Sequence, residues 1–234
     1  MNRLHTFIAA ATLLLVLLGA EGALAERAAL VTEVVGVAER VDAGSPVRLE
    51  VGDWLSEGTE VRTGRRSRLT LRVPGGSYLR LDSETRMRLG SLGSPSGPVR
   101  GAFAVQSGLA AVVVPVLRSG QSFTVDTPTS SAAVRGTVFY VGVDPERELE
   151  WVCGMAGEVE VSIAARPESV EVTPNWGVWF DSAGEVVALR ELTAEEREHY
   201  VELSGPDAVQ GGLDAELIEE PGSRADEEDD YGFL

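Results

Sequence analysis

Few side chains in this sequence have the types and spacing that catalysis requires. Cys153 is the only cysteine, and His5 and His199 are the only histidines. His199 stands beside Glu198 with no Ser-containing elbow motif near it, so a nucleophile and base pair has no parts to draw on and His199 reads as a solvated helix residue. A single thiol cannot form an intramolecular disulfide; within the apolar run 149–153, Cys153 reads as a small buried residue. Carboxylates are plentiful, and a glycosidase needs only two of them facing each other across a cleft. However, Asp53, Asp82, Asp126 and Asp144 fall at expected turns or strand ends, where Asp bonds its own backbone. A carbohydrate-active enzyme is therefore the least supported of three functional readings. The acidic run from Asp226 to Asp230 is contiguous, unlike the spaced ligands of an EF-hand, and would attract cations only diffusely. Neither a metal nor a cofactor is expected.

Two other groups of residues suit binding better than catalysis. The segment Asn175-Trp176-Gly177-Val178-Trp179-Phe180 concentrates aromatics near a turn, and exposed Trp rings form platforms for sugars or proteins. Strand alternation puts Trp176, Val178 and Phe180 on one face and Trp179 on the other, so one of the two tryptophans is a candidate contact residue. The second group is a set of arginines. Alternation turns Leu69, Leu71, Val73, Leu79, Leu81, Met87 and Leu89 inward and Arg68, Arg72, Arg80, Arg86 and Arg88 outward, which predicts one arginine-lined outer face.

The net charge of -17 is unevenly spread. From Glu191 to Leu234 fifteen acids meet only Arg197 and Arg224, whereas from Arg62 to Arg135 eleven arginines meet Asp82, Glu84 and Asp126. Such an acidic chain does not suit nucleic acid, whose phosphates reward clustered positive charge. The cationic middle keeps an anionic polysaccharide, or an envelope protein, open as partner. An acidic tail folded over the arginine face would compete with such a partner.

The elements that position these residues are short. Apolar-polar runs punctuated by Gly, Pro, Ser or Asp predict strands at 47–51, 60–63, 68–73, 78–81, 86–89, 99–105, 109–117, 122–126, 137–143, 148–152, 158–163, 170–173, 177–180 and 186–189. No gap among them holds a crossover helix, which argues against a parallel α/β fold. One helix is predicted over 194–203, with Thr193 and Glu196 forming a capping box and Gly205-Pro206 ending it. The chain divides into a signal peptide (1–25), a β domain (26–190), a C-terminal helix (191–204) and an acidic flexible tail (205–234) too polar to repay its ordering entropy.

The signal is read from Arg3 and His5, the twelve-residue apolar block 7–18 and Ala23-Leu24-Ala25. The block is shorter than the roughly 18 to 20 residues of a bilayer span, so no membrane span is expected after cleavage. Export to the periplasm or the cell exterior follows. An uncleaved anchor is the alternative.

Three segments in order resemble the periplasmic FecR domain: 58–81, then Val105-Gln106-Ser107-Gly108-Leu109, then the run 123–141. That run reads as strand, turn, strand and ends in Gly136-Thr137-Val138-Phe139-Tyr140-Val141, a Gly-Thr-x-Phe-x-Val signature, which the strand from Gly157 to Val161 follows. The resemblance extends over about residues 30–190. It implies an all-β domain, solenoid-like or sandwich-like with antiparallel or mixed strands, that acts through protein contacts in the bacterial envelope. Gly136, Thr137, Phe139, Val141 and Gly157 then count as scaffold: Gly136 for a backbone shape or close approach that a Cβ would block, Thr137 for a bond to the turn or a neighbouring strand. Signalling members carry a sigma-factor-binding region and a membrane helix before this domain. Only six residues precede the apolar block here, so the expectation is an exported stand-alone version, with a membrane-anchored signalling regulator as the alternative.

Overall fold

The computed structural model describes residues 27–42, 44–91, 100–117 and 122–205. The segments expected to form a signal peptide (1–25) and an acidic tail (205–234, apart from Gly205) lie outside the described residues. In chain order the strands are β1 (Arg27–Val35), β2 (Ala38–Asp42), β3 (Ser45–Arg48), β4 (Trp54–Ser56), β5 (Glu60–Thr63) and β6 (Arg68–Arg72). Next come β7 (Tyr78–Leu81), β8 (Arg86–Leu89), β9 (Arg100–Val114), β10 (Ser122–Asp126), β11 (Ser130–Val134) and β12 (Thr137–Asp144). The last are β13 (Leu149–Ala156), β14 (Val159–Ile163), β15 (Val170–Val172), β16 (Trp176–Asp181) and β17 (Val186–Glu191), before helix α1 (Ala194–Ser204).

The strands form two sheets that share one member. Sheet A runs β4-β1-β6-β7-β9-β12-β13-β16-β17. Sheet B runs β3-β2-β5-β8-β9-β10-β11-β14-β15. Strand β9 stands at the centre of both: its first half pairs with β8 and β10 and its second half with β7 and β12. The β9–β10 pair is parallel and the other strand pairs are antiparallel. Apolar residues from both sheets, among them Leu71, Val112, Phe139 and Phe180 from sheet A and Val61, Phe103, Phe123 and Val161 from sheet B, meet in one core. The all-β expectation holds, in its sandwich form with mixed pairing.

Strand β9 also replaces two predicted strands, 99–105 and 109–117. Gly108 made them look separate, yet it is the point where one continuous strand passes from sheet B to sheet A. Its φ of 88° is one that L side chains rarely adopt, and a Cβ there would lie 2.5 Å from Thr85. Thr85 pins the crossing, its Oγ1 accepting from the Leu109 N–H at 3.0 Å and donating to the Leu109 carbonyl at 3.1 Å.

The run 123–141 holds three strands, not two. The additional β11 is Ser-Ser-Ala-Ala-Val, in which Val134 alone favours a strand, and it pairs with β10 and β14. A turn at Thr127–Ser130 precedes it, closed by Thr127 N–H to the Ser130 carbonyl at 2.9 Å and Ser130 N–H to Thr127 Oγ1 at 3.0 Å. Strands β1, β2 and β4 were likewise not expected.

Candidate functional site

Most strands are buried on one side only, but the centre of sheet A is buried on both. From Thr137 to Val143 every residue of β12 is buried. Phe139 and Val141 face the sandwich core, whereas Val138 and Tyr140 join Ala111, Val113, Cys153, Met155 and Trp179 in a second cluster on the outer face. Helix α1 closes that cluster with Tyr200 and Leu203.

Helix α1 starts as its sequence dictates. Thr193 Oγ1 accepts from the Glu196 N–H at 3.2 Å, and Glu196 accepts from the Thr193 N–H at 2.8 Å, completing the capping box. The same Glu196 receives both terminal nitrogens of Arg190, at 2.9 and 2.8 Å, while the Arg190 guanidinium lies 3.9 Å from the centre of the Trp179 ring. Arg190 holds the Glu196 carboxyl down to about 2.

Long-range bonds secure the body and far end of the helix. Tyr140 stacks on Tyr200 with ring centres 4.3 Å apart and donates its hydroxyl to the Tyr200 carbonyl at 2.5 Å. Arg80 donates to the Leu203 carbonyl at 3.1 Å and Tyr78 to the Ser204 carbonyl at 3.3 Å, so a cation meets the negative end of the helix dipole. Burial raises the titration of both Tyr140 and Tyr200 and pushes the Cys153 thiol up to about 12, which leaves it an unreactive packing residue. His199 is exposed on the helix and lies 3.7 Å from Asp82.

The arginines do not share one face. Arg68, Arg72 and Arg80 stand on the outer side of sheet A, whereas Arg86 and Arg88 stand on the outer side of sheet B. The turn between β7 and β8 carries the chain from one layer to the other, and alternation then points each set outward in opposite directions. Their duties differ as well. Arg80 is half-buried, 3.6 Å from Glu33 and 3.1 Å from Thr70 Oγ1, and serves the helix end. Arg86 pairs with Glu60 at 2.5 Å, beside an Arg62–Glu39 pair at 2.7 Å. Arg72 and Arg88 are exposed, and Arg68 has a buried Nε without a hydrogen-bond partner.

Both faces of β16 are covered, which separates the two tryptophans. Trp179 is 8% exposed inside the second cluster, and Trp176 is 37% exposed at the start of the strand. Trp179 is thus removed as a contact residue. Beside Trp176 the neighbouring β17 exposes Val187 (58%) and Leu189 (52%). Among the described residues β17 pairs only with β16, so its other backbone edge is unpaired.

The signature residues sit where strands crowd. Gly136 has φ 131°, and a Cβ there would lie 2.7 Å from Val116 Cα. Gly157 has φ 72°, and a Cβ there would collide with the Gly136 carbonyl. Thr137 departs from its expected role: its Oγ1 is buried without a hydrogen-bond partner, because the side chain is packed against Gly157 instead of reaching the turn backbone. Next to these glycines the end of sheet B forms a groove of about 900 Å³, lined among others by Thr124, Arg135, Glu158, Glu160 and Glu171. Its carboxylates favour cationic or hydroxyl-rich groups over anions. No group of three or more His, Cys, Asp or Glu is arranged to hold a metal among the described residues.

Sequence reasoning passed over Tyr78, Tyr140 and Tyr200. The signal for Tyr140 was present in β12, where an unbroken apolar run marks a strand covered on both faces.

The fold is a mixed two-layer β sandwich with a helix over part of one outer face. Residues 59–164, from the edge of β5 to just past β14, match the family described as FecR protein. That match is narrower than the 30–190 the motifs implied. Two crystal structures described as "a putative anti-sigma factor" from Parabacteroides distasonis align at TM-score 0.51 and 21% identity, over 61% of this chain. This chain spans 63% of the length of one and 64% of the other. At that identity the likeness concerns the fold alone. No curated protein shows a significant match. Among the described residues no helix is long and apolar enough to cross a membrane.

Proposed function

We propose that this FecR-domain chain is an exported, non-catalytic protein that works by binding another protein of the bacterial envelope. The observation that carries this reading is the β17 edge. Its unpaired backbone offers a template for an added strand, and Trp176, Val187 and Leu189 supply apolar contacts along it. A protein strand suits that edge better than an anionic polysaccharide does, since the edge carries exposed apolar groups and the groove at the end of sheet B is lined with glutamates.

The test has two arms. Sequencing the N-terminus of the chain from its host checks export: a start at Glu26 is the expected result. Crosslinking in the envelope, compared between wild type and Leu189→Lys, checks the edge; a protein adduct present in wild type and lost in the variant is expected. An adduct unchanged by Leu189→Lys would overturn β17 as the docking edge.

The second reading, a membrane-anchored signalling regulator, is favoured by the fold shared with the structures described as anti-sigma factors. It predicts an intact Met1 in the membrane fraction.

A further inference from the structure

Helix α1 seals only part of the outer face of sheet A. Its contacts are with β7, β9, β12, β13, β16 and β17, and it ends at Ser204 over β7, where Tyr78 and Arg80 hold its last carbonyls. Gly205 follows with φ 89°, and a Cβ there would lie 3.0 Å from Arg80. Beyond β7 in sheet A lie β6, β1 and β4.

Those three strands present arginines and apolar groups, and the one carboxylate among them on this face, Glu33, is already engaged by Thr70 and Arg80. Leu30 of β1 stands opposite Arg72 of β6 on one side and Trp54 of β4 on the other, which sets the three in a row across the sheet. Val35 stands opposite Arg68. Trp54 is 45% and Val35 48% exposed. Neither Arg68 nor Arg72 is in an ion pair among the described residues, and Arg68 Nε is a buried donor without an acceptor. Such a donor costs free energy until a carboxylate or carbonyl reaches it.

Residues 206–234 have the complementary chemistry. Ten acids stand against Arg224 alone, a balance of ten minus one, or nine negative charges. Apolar groups are interspersed, notably Leu213, Leu217, Ile218, Tyr231 and Phe233. Reach is no obstacle: three strands span only about 15 Å at ~4.8 Å each, a distance that five extended residues cover.

We infer that residues 206–234 occupy the outer face of sheet A over β6, β1 and β4. Their carboxylates engage Arg68 and Arg72, and their apolar side chains pack on Leu30, Val35 and Trp54. The inference goes beyond the envelope partner proposed at β17, lies across the sheet from it, and stands or falls independently. It also narrows the earlier picture of an acidic tail over one arginine face to the sheet A arginines; Arg86 and Arg88 are out of that contact.

The test uses the full chain with a bimane dye, which tryptophan quenches on contact, attached at Gly212→Cys or Ser223→Cys. Cys153 is fully buried and stays unlabelled, with the wild-type chain as the labelling blank. The expected result is quenching at one or both positions that is lost in Trp54→Phe and in Arg68→Glu/Arg72→Glu. It should also weaken at 1 M salt, where the screening length falls to about 3 Å. Quenching absent from both positions, or unaffected by Trp54→Phe, overturns the inference. Quenching lost instead in Trp176→Phe, or rising with protein concentration, also overturns it, by moving the contact to the β17 edge or to a second copy. Trp54→Phe alters no charge and keeps the test decisive if the double arginine variant fails to fold.

Discussion

The outer face of sheet A and the outer face of sheet B start from the same alternating pattern and end in different states. On sheet B, strands such as β8 and β14 alternate strictly between exposed and buried residues, and the exposed ones meet water or pair across strands, as Arg86 does with Glu60 and Arg62 with Glu39. On sheet A, β12 and β13 are buried on both faces, and α1 seals the second face through Tyr140, Tyr200, Leu203 and the Arg80 cap. A sheet face therefore takes one of two stable forms: a solvated ladder of ion pairs, or an apolar surface that another element must cover. Between the two lies the β6-β1-β4 end of sheet A, where apolar groups are mixed with arginines that form no ion pair among the described residues.

The comparison can be broken most sharply at the core the two faces share. Phe139→Ala should cost about 3–5 kcal/mol, since it removes a fully buried ring between the sheets. Denaturant unfolding should shift as a single transition; two separate transitions would mean that the sheets do not share a core. Leu203→Ala should cost about 2 kcal/mol, the low end for a buried Leu, because a helix end can relax. Hydrogen exchange should accelerate in α1 and leave β14 protected. Equal acceleration in both would erase the distinction between the faces.

Thr193→Ala removes the helix N-cap and should cost about 1 kcal/mol, again read as faster exchange confined to α1. Glu196 adds a pH signature. Its folded value of about 2 lies below the ordinary 4.5, so its ion pair stabilises the ionised state, fully above pH 4.5 and progressively less as pH falls toward 2. The stability difference between wild type and Glu196→Gln should be complete at pH 7 and close between pH 4.5 and 2. The smallest effect belongs to sheet B: Arg86→Gln breaks an exposed pair and should cost at most about 1 kcal/mol, less at high salt. A larger cost would mean that the sheet B ladder is a covered surface after all.

Much of this was legible locally. The strands at 60–63, 78–81, 86–89 and 122–126 and the capped helix follow from period-two alternation and capping chemistry, which neighbouring residues express without help from the rest of the chain. β11 was hidden because Ser-Ser-Ala-Ala-Val has little strand preference of its own and is held by β10 and β14. Gly108 looked like a break because a glycine that bends a strand between sheets and one that ends a strand are the same letter.

By itself, then, the sequence determined an all-β chain with a capped helix, which residues turn inward, and the signature that marks the FecR domain. Only the tertiary structure decided which side of the sandwich each outward residue occupies. It put Arg80 under a helix end 123 residues away and Arg86 on the opposite layer, buried Trp179, and left Trp176 and the β17 edge exposed. The physical reason is range. Alternation and capping act between residues a few positions apart, whereas the layer a strand joins and the element that covers it are set by pairings between distant segments.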